Sequence, residues 1–180
     1  CNRCHDPLAL HGSGRREIGY CVTCHNPGST DPDSGNTVDM KVMIHKIHMG
    51  ESLPSVEAGM PYQIIGYRQS VHDYSDVLLP QDVRNCDRCH TADTPEGSVW
   101  FTRPNRDACG SCHDLIDWEV AGEGHPVPQF DDSLCSACHV PEGEFEFDMT
   151  GDIRIAVEGV DDLGNADVVM DLANMHMNMT

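Results

Sequence analysis

Long apolar runs are missing from this 180-residue chain, and so is most of the material of an ordinary core. No stretch is long enough to cross a bilayer as a helix, so no transmembrane segment is expected. Aromatic residues make up 6% and hydrophobic residues 39%, against 16 glycines and 11 prolines. That is poor material for holding a domain of this length by packing alone. Positive charge is scarce too: the only lysines are Lys41 and Lys46, and Lys+Arg total 11 against 30 Asp+Glu, a net charge of −19. This balance argues against nucleic acid and anionic membrane as partners and leaves a self-repelling surface suited to cationic partners or metal ions. No secretory leader is visible. The chain begins on Cys1, and it is expected to be a mature or trimmed piece of something longer.

Cysteine outside one motif is also absent. All ten cysteines fall in Cys-x-x-Cys-His: Cys1-Cys4-His5, Cys21-Cys24-His25, Cys86-Cys89-His90, Cys109-Cys112-His113 and Cys135-Cys138-His139. None is left for a disulfide or a reactive thiol. The full motif signals covalent c-type haem, with two thioethers per haem and the histidine as proximal iron ligand. Zinc ribbons also use Cys-x-x-Cys pairs, but they do not require the following histidine, which all five motifs carry. A thioredoxin-like reading lacks its βαβ setting. Five covalently attached haem c groups are therefore expected. Their apolar faces and covalent staples stand in for the missing core, and the chain without haem is expected not to fold. Thioether attachment takes place outside the cytoplasmic membrane, which points to an extracellular or cell-surface location in a prokaryote, with the periplasm as second choice.

The expected architecture is a multihaem cytochrome c fold: short helices and loops wrapped around five covalent haems, a small β hairpin and a strand-rich C-terminal tail. Residues 1–140 form the pentahaem domain and 141–180 a possible subunit- or domain-joining segment. Residues 29–36 read as a polar loop. Residues 39–49 read as a helix capped by Asp39 and stopped by Gly50, with Met40, Met43, Ile44 and Ile47 on one apolar stripe. Residues 62–67 and 77–79 are β-prone and could pair as a hairpin with His72 in the connection. Each motif is expected to start a short helix. In the tail, residues 144–147, 153–157, 168–170 and 175–179 read as strands, with a turn at 162–165.

Eleven histidines less five proximal ones leave His11, His45, His48, His72, His125 and His176. Six candidates for five distal positions match closely, and haem iron with two axial histidines has no open site. His45 and His48 fall on one side of a helix at about 100° per residue. The two axial ligands of one iron lie on opposite faces of a porphyrin, so this pair must serve two different haems and clip them together. An i, i+3 zinc site there lacks further donors. His176 is read as free, with ligation in an adjacent subunit as its alternative, and no methionine is expected as a ligand.

Several stretches carry a family resemblance: Leu8-Ala9-Leu10-His11-Gly12, Cys21-Val22-Thr23-Cys24-His25-Asn26-Pro27, Met43-Ile44-His45-Lys46-Ile47-His48, Leu79-Pro80-Gln81-Asp82-Val83-Arg84-Asn85-Cys86 and Cys109-Gly110-Ser111-Cys112-His113-Asp114. Over residues 1 to about 140 the chain resembles the pentahaem domains of outer-surface decahaem cytochromes of the OmcA/MtrC type. The resemblance implies bis-histidine haems in a closely spaced branched chain, with distal roles for His11, His45, His48, His72 and His125. It also implies β-barrel neighbours and electron delivery to minerals, flavins or electrodes. The chain departs from that family in having one pentahaem unit and no full β domain.

The expected function is extracellular electron transfer, with no catalytic residue. The partners are other redox proteins, copies of the chain in a head-to-tail filament, and terminal acceptors such as metal oxides or flavins. The alternative is a multihaem redox enzyme acting on a small nitrogen-oxide type substrate. That reading needs one open haem site, and usually a modified motif that is absent here. Filament formation is compatible with the conduit, since head-to-tail contacts that do not close build open assemblies.

Overall fold

The structure is a computed structural model that describes residues 1–139 together with two strands of the C-terminal segment, Ile155–Val160 and Ala166–Met170. The chain divides into two compact units, Cys1–His139 and Val140–Thr180.

The first unit is built from short pieces because its sequence breaks every few residues at Gly, Pro or Asp. Its helices are α1 (Ile18–Cys21), α2 (Met40–Met49), α3 (Pro54–Glu57), α4 (Val99–Thr102), α5 (Arg106–Cys112) and α6 (Cys135–Cys138). Only α2 exceeds two turns, and both of its ends follow the sequence signals. The Asp39 carboxylate accepts from Lys41 N at 2.9 Å and caps the start. At the other end Gly50 adopts φ +50°. A Cβ at Gly50 would lie 2.1 Å from the Val77 carbonyl oxygen, so the position demands glycine twice over. The same carbonyl accepts from Glu51 N at 3.0 Å. Pro54 then opens α3, where a missing N–H costs nothing.

The expected apolar stripe does not divide α2 into an inner and an outer face. Every residue from Met40 to Met49 is half-buried, because the helix has neighbours on several sides. It packs along α5, and its first residue donates from Met40 N to the His25 carbonyl at 3.1 Å. Among the described residues the buried apolar core is only Leu53 and Tyr62.

The hairpin differs from its expectation. Strand β1 (Gln63–Ile65) pairs antiparallel with β2 (Val71–Asp73), in the register Gln63↔Asp73, Ile64↔His72, Ile65↔Val71. His72 therefore lies in a strand, not in the connection, and residues 77–79 form no strand. The chain reverses earlier than expected. Gly66 N bonds the Ser70 carbonyl at 2.7 Å around Arg68 and Gln69, which take φ +59° and +60°. Neither positive-φ position holds a Gly or Asn, which is why the sequence hides the turn. Val77 instead lies over Gly50, its carbonyl committed to the end of α2.

The 29–38 loop is tied to this hairpin through Asp31, which is buried. Its carboxylate accepts from Ile65 N at 2.7 Å, from Asp33 N at 3.0 Å and from the Ser34 hydroxyl. Asn36 Nδ2 adds a bond to the Gln63 carbonyl at 2.7 Å.

In the second unit, β3 (Ile155–Val160) and β4 (Ala166–Met170) pair antiparallel, with a register irregularity between Val157 and Val160. The strands expected at 144–147 and 175–179, the turn at 162–165 and His176 lie outside the described residues.

Candidate haem-binding site

All five motifs share one local geometry. The histidine N–H donates to the carbonyl of the first cysteine: His5 to Cys1 at 3.0 Å, His25 to Cys21 at 2.9 Å, His90 to Cys86 at 2.9 Å, His113 to Cys109 at 3.0 Å and His139 to Cys135 at 2.9 Å. Each motif is thus one closed helical turn. The expectation that each motif starts a short helix holds for the fifth, which opens α6, and as a 3₁₀ turn for the third, but not for the second and fourth. The second motif follows from the end of α1, the fourth forms the last turn of α5, the third is a 3₁₀ turn, Cys86–Arg88, and the fifth is α6 alone. Helical geometry stops at the histidine, whose backbone leaves the α region in the fourth and fifth motifs. Burial raises the thiol pKa of Cys109, helped by nearby Cys135. It raises that of Cys112 too, helped by Cys109 and then Cys86. Thiols of successive motifs therefore lie close enough to interact.

The histidines meet in pairs. Ring centres are 6.1 Å apart for His5–His48, 5.9 Å for His11–His25, 6.2 Å for His45–His90 and 6.1 Å for His125–His139. Each pair joins one motif histidine to one outside a motif. A ring nitrogen binds a first-row metal at about 2.0 Å and lies about 1 Å from its ring centre, so two imidazoles on opposite sides of one metal have centres about 6 Å apart. The four pairs fit that separation. The chain also sets His45 and His48, one turn apart on α2, against two different motifs, the third and the first.

Hydrogen bonds fix which ring nitrogen is left free. His25 Nδ1 lies 2.8 Å from the Val38 carbonyl, His48 Nδ1 2.8 Å from the Ile44 carbonyl, and His125 Nδ1 2.6 Å from the Val127 carbonyl. A carbonyl only accepts, so Nδ1 carries the proton and Nε2 keeps a free lone pair. In His45, Nδ1 is buried without a partner; the Lys41 backbone one turn back raises its pKa without forming a well-aligned bond. Burial first, and then His90, outweigh that effect and push His45 below the usual imidazole value. Burial followed by Arg15 and His25 lowers His11, and burial followed by His125 and His113 lowers His139. Neutral imidazole is the ligand form.

Two histidines stand apart. The His113 ring is exposed and faces no other histidine ring among the described residues. His72 is exposed on β2, its Nε2 3.1 Å from Ser70 Oγ. Among the described residues no three His, Cys, Asp or Glu side chains converge on a bare metal ion. Three of the paired rings border open spaces. His90 lines a cleft of about 470 Å³ with Trp100, Phe101, Arg3 and Arg88. His125 and His139 line a cavity of about 50 Å³ with Trp118, Leu134 and Cys135, and the Trp118 ring centre is 5.5 Å from that of His125. In the larger cleft the Trp100 and Phe101 rings beside Arg3 and Arg88 suit a porphyrin plane and its carboxylates, although Asp87 also lines it.

Sequence reasoning missed Asp114, Asp31 and Trp118. Asp114 follows a motif directly, and that adjacency was the available signal. Asp31 acts through Ile65, distant in sequence, and Trp118 through His125 in the loop that follows it, where no motif marks the pair.

Residues 1–150 match the model of the outer membrane cytochrome MtrC/MtrF-like family, domains II/IV. The chain belongs to this family. It is a multihaem c-type cytochrome domain of the OmcA/MtrC type. The multiheme cytochrome MtrC of Shewanella baltica (strain OS185) is 32% identical over 143 residues, which is 77% of this chain and 17% of that protein. A high-molecular-weight cytochrome c of Nitratidesulfovibrio vulgaris is 26% identical over 158 residues, 85% of this chain and 27% of that protein. The crystal structure of the outer membrane decaheme cytochrome OmcA superposes with a TM-score of 0.61 at 34% identity, covering 81% of this chain and 21% of that one. The chain thus spans about a fifth of the length of the relatives it matches.

Proposed function

We propose that the chain is a pentahaem electron-transfer domain of extracellular respiration, with residues 1–140 holding five haem c groups. The ten motif cysteines form the thioethers, and His5, His25, His90, His113 and His139 are proximal ligands. Opposite them stand His48 on the first haem, His11 on the second, His45 on the third and His125 on the fifth. The observation that carries this reading is the set of four facing histidine pairs at 5.9–6.2 Å. Among the described residues His72 is the remaining distal candidate for His113, and reaching it requires release from Ser70.

Bound haem supplies reversible one-electron chemistry, passed between neighbours held close together. The chain holds the rings, excludes other ligands from the iron and fixes the imidazole tautomers through the carbonyls of Val38, Ile44 and Val127. Family membership supports a location on the outer surface of a bacterial cell, with metal oxides, flavins or other redox proteins as acceptors. No helix among the described residues is long and apolar enough to cross a membrane. Residues 141–180 are the proposed joining segment, towards a further domain or a second copy in a head-to-tail filament. Two strands that pair only with each other among the described residues support this, because their outer edges can accept another strand.

One observation favours the second reading, a multihaem redox enzyme with one open site: among the described residues, no histidine ring faces His113. Electron paramagnetic resonance of the oxidised protein and carbon monoxide titration of the reduced protein decide between the two. The conduit reading expects five low-spin haems and no carbon monoxide binding. One high-spin haem that binds one equivalent overturns it in favour of the enzyme. Electron microscopy at high concentration tests the filament, and monomers alone would remove it.

A further inference from the structure

We infer that Lys46 and Asp114 form a charge-compensated latch that sets the potentials of the haems around α2. Lys46 is one of the two lysines of the chain, and it stands between His45 and His48. Asp114 directly follows His113. Their side chains meet with Nζ 2.5 Å from Oδ2, and they are 16% and 4% exposed. The second carboxylate oxygen accepts from Ser55 N at 3.0 Å, and the Ser55 hydroxyl donates to Oδ2 at 2.5 Å. Lys46 Nζ also lies 5.1 Å from the centre of the Tyr62 ring. One cation and one anion are thus held out of water beside three proposed ligand histidines: His48 and His45, which face the first and third motifs, and His113 of the fourth.

The other ion pairs among the described residues do not share this setting. Lys41–Asp107, Arg84–Asp82, Arg103–Glu96 and Arg106–Asp132 all expose at least one partner by more than a third. Water and salt screen such pairs, whereas a buried pair acts at low effective dielectric. Reduction adds one negative charge to a haem, so a nearby uncompensated cation favours the reduced form and an uncompensated anion opposes it. With both charges present the two effects offset each other. Removing either one exposes the other, with opposite consequences for potential. A latch that only held α2 against the fourth motif would not distinguish the two removals.

The inference rests on the proposed ligation by His45, His48 and His113. Spectroelectrochemical titration of holoprotein tests it with Lys46→Met, Asp114→Asn and the double variant. Lys46→Met is expected to move the potentials of the affected haems down and Asp114→Asn to move them up, with the double variant returning close to wild type. Shifts of the same sign in both single variants, or a double variant that departs further than either, overturn the inference. If the single variants fail to assemble and the double variant assembles, the unpaired charge is the fault, and that supports it. Failure of all three to assemble overturns it in favour of a purely structural latch. Mass spectrometry of the wild-type fragment containing residues 109–114 checks the underlying reading separately. A fragment without haem sinks that reading, whereas haem present without opposed shifts sinks the latch alone.

Discussion

At the scale of single residues, geometry assigns roles that composition does not. Gly50 reads in the sequence as a helix stop. The structure adds the Val77 carbonyl lying where a side chain would begin. Gly50→Ala therefore combines a positive φ with a backbone clash, and is expected to destabilise the holoprotein by at least about 2 kcal/mol. Thermal unfolding would measure this as a lowered midpoint. Asp31 reads as one more polar loop residue, yet its carboxylate ties the 29–38 loop to β1. The Ser34 hydroxyl first, and then Ile65 N–H, lower its pKa from 3.8. The folded chain thus binds that proton less readily than the unfolded chain does. Its contribution is complete above pH 3.8 and is lost as pH falls below that value through the lowered one. Asp31→Asn is expected to reduce the urea midpoint at neutral pH, and the gap to wild type should close as the pH falls below 3.8. The ionised carboxylate cannot be read as a hub from sequence because Ile65 lies far along the chain.

At the scale of elements, α2 was the most legible. Its N-cap, its stop and the separate partners of its two histidines all follow from helical spacing and ligand geometry. The hairpin was half legible: β1 falls where β-prone residues cluster, but the turn at Arg68 and Gln69 uses residues that rarely take positive φ, which displaced β2 in the reading. The motifs were partly legible: the third and fifth open short helical turns as expected, while the second and fourth end helices, because the turn a motif needs is complete at the histidine and can close a preceding helix. The structure sets His45 against His90 and His48 against His5, and the proposed ligation makes this testable element by element. His45→Ala is expected to open the haem of the third motif alone, and His48→Ala that of the first alone. Each variant should bind one equivalent of carbon monoxide when reduced, and the double variant two. Six-coordinate haems throughout in either single variant would rule out α2 as the clip.

At the scale of the whole molecule, the described polypeptide has almost no core of its own. Leu53 and Tyr62 are its buried apolar residues, while Tyr67, Leu78, Phe130 and Leu134 are each more than 60% exposed. Low hydrophobic content made this deficit visible in the sequence. Which surfaces face the haems was not visible, because porphyrin contacts leave no periodic pattern. The chain produced without haem, or with all ten cysteines changed to serine, is expected to show no cooperative thermal transition by circular dichroism. A sharp transition would mean that the polypeptide packs independently. The position of α2 also has a consequence for biogenesis. Its His48 looks back to His5, and its His45 looks forward to His90. In a chain delivered from its N-terminal end, α2 can be anchored by the first motif before the third has emerged. It then presents His45 already oriented. Under the proposed ligation, the order of motifs along the chain is expected to set the order in which α2 gains its haem contacts, the first motif before the third.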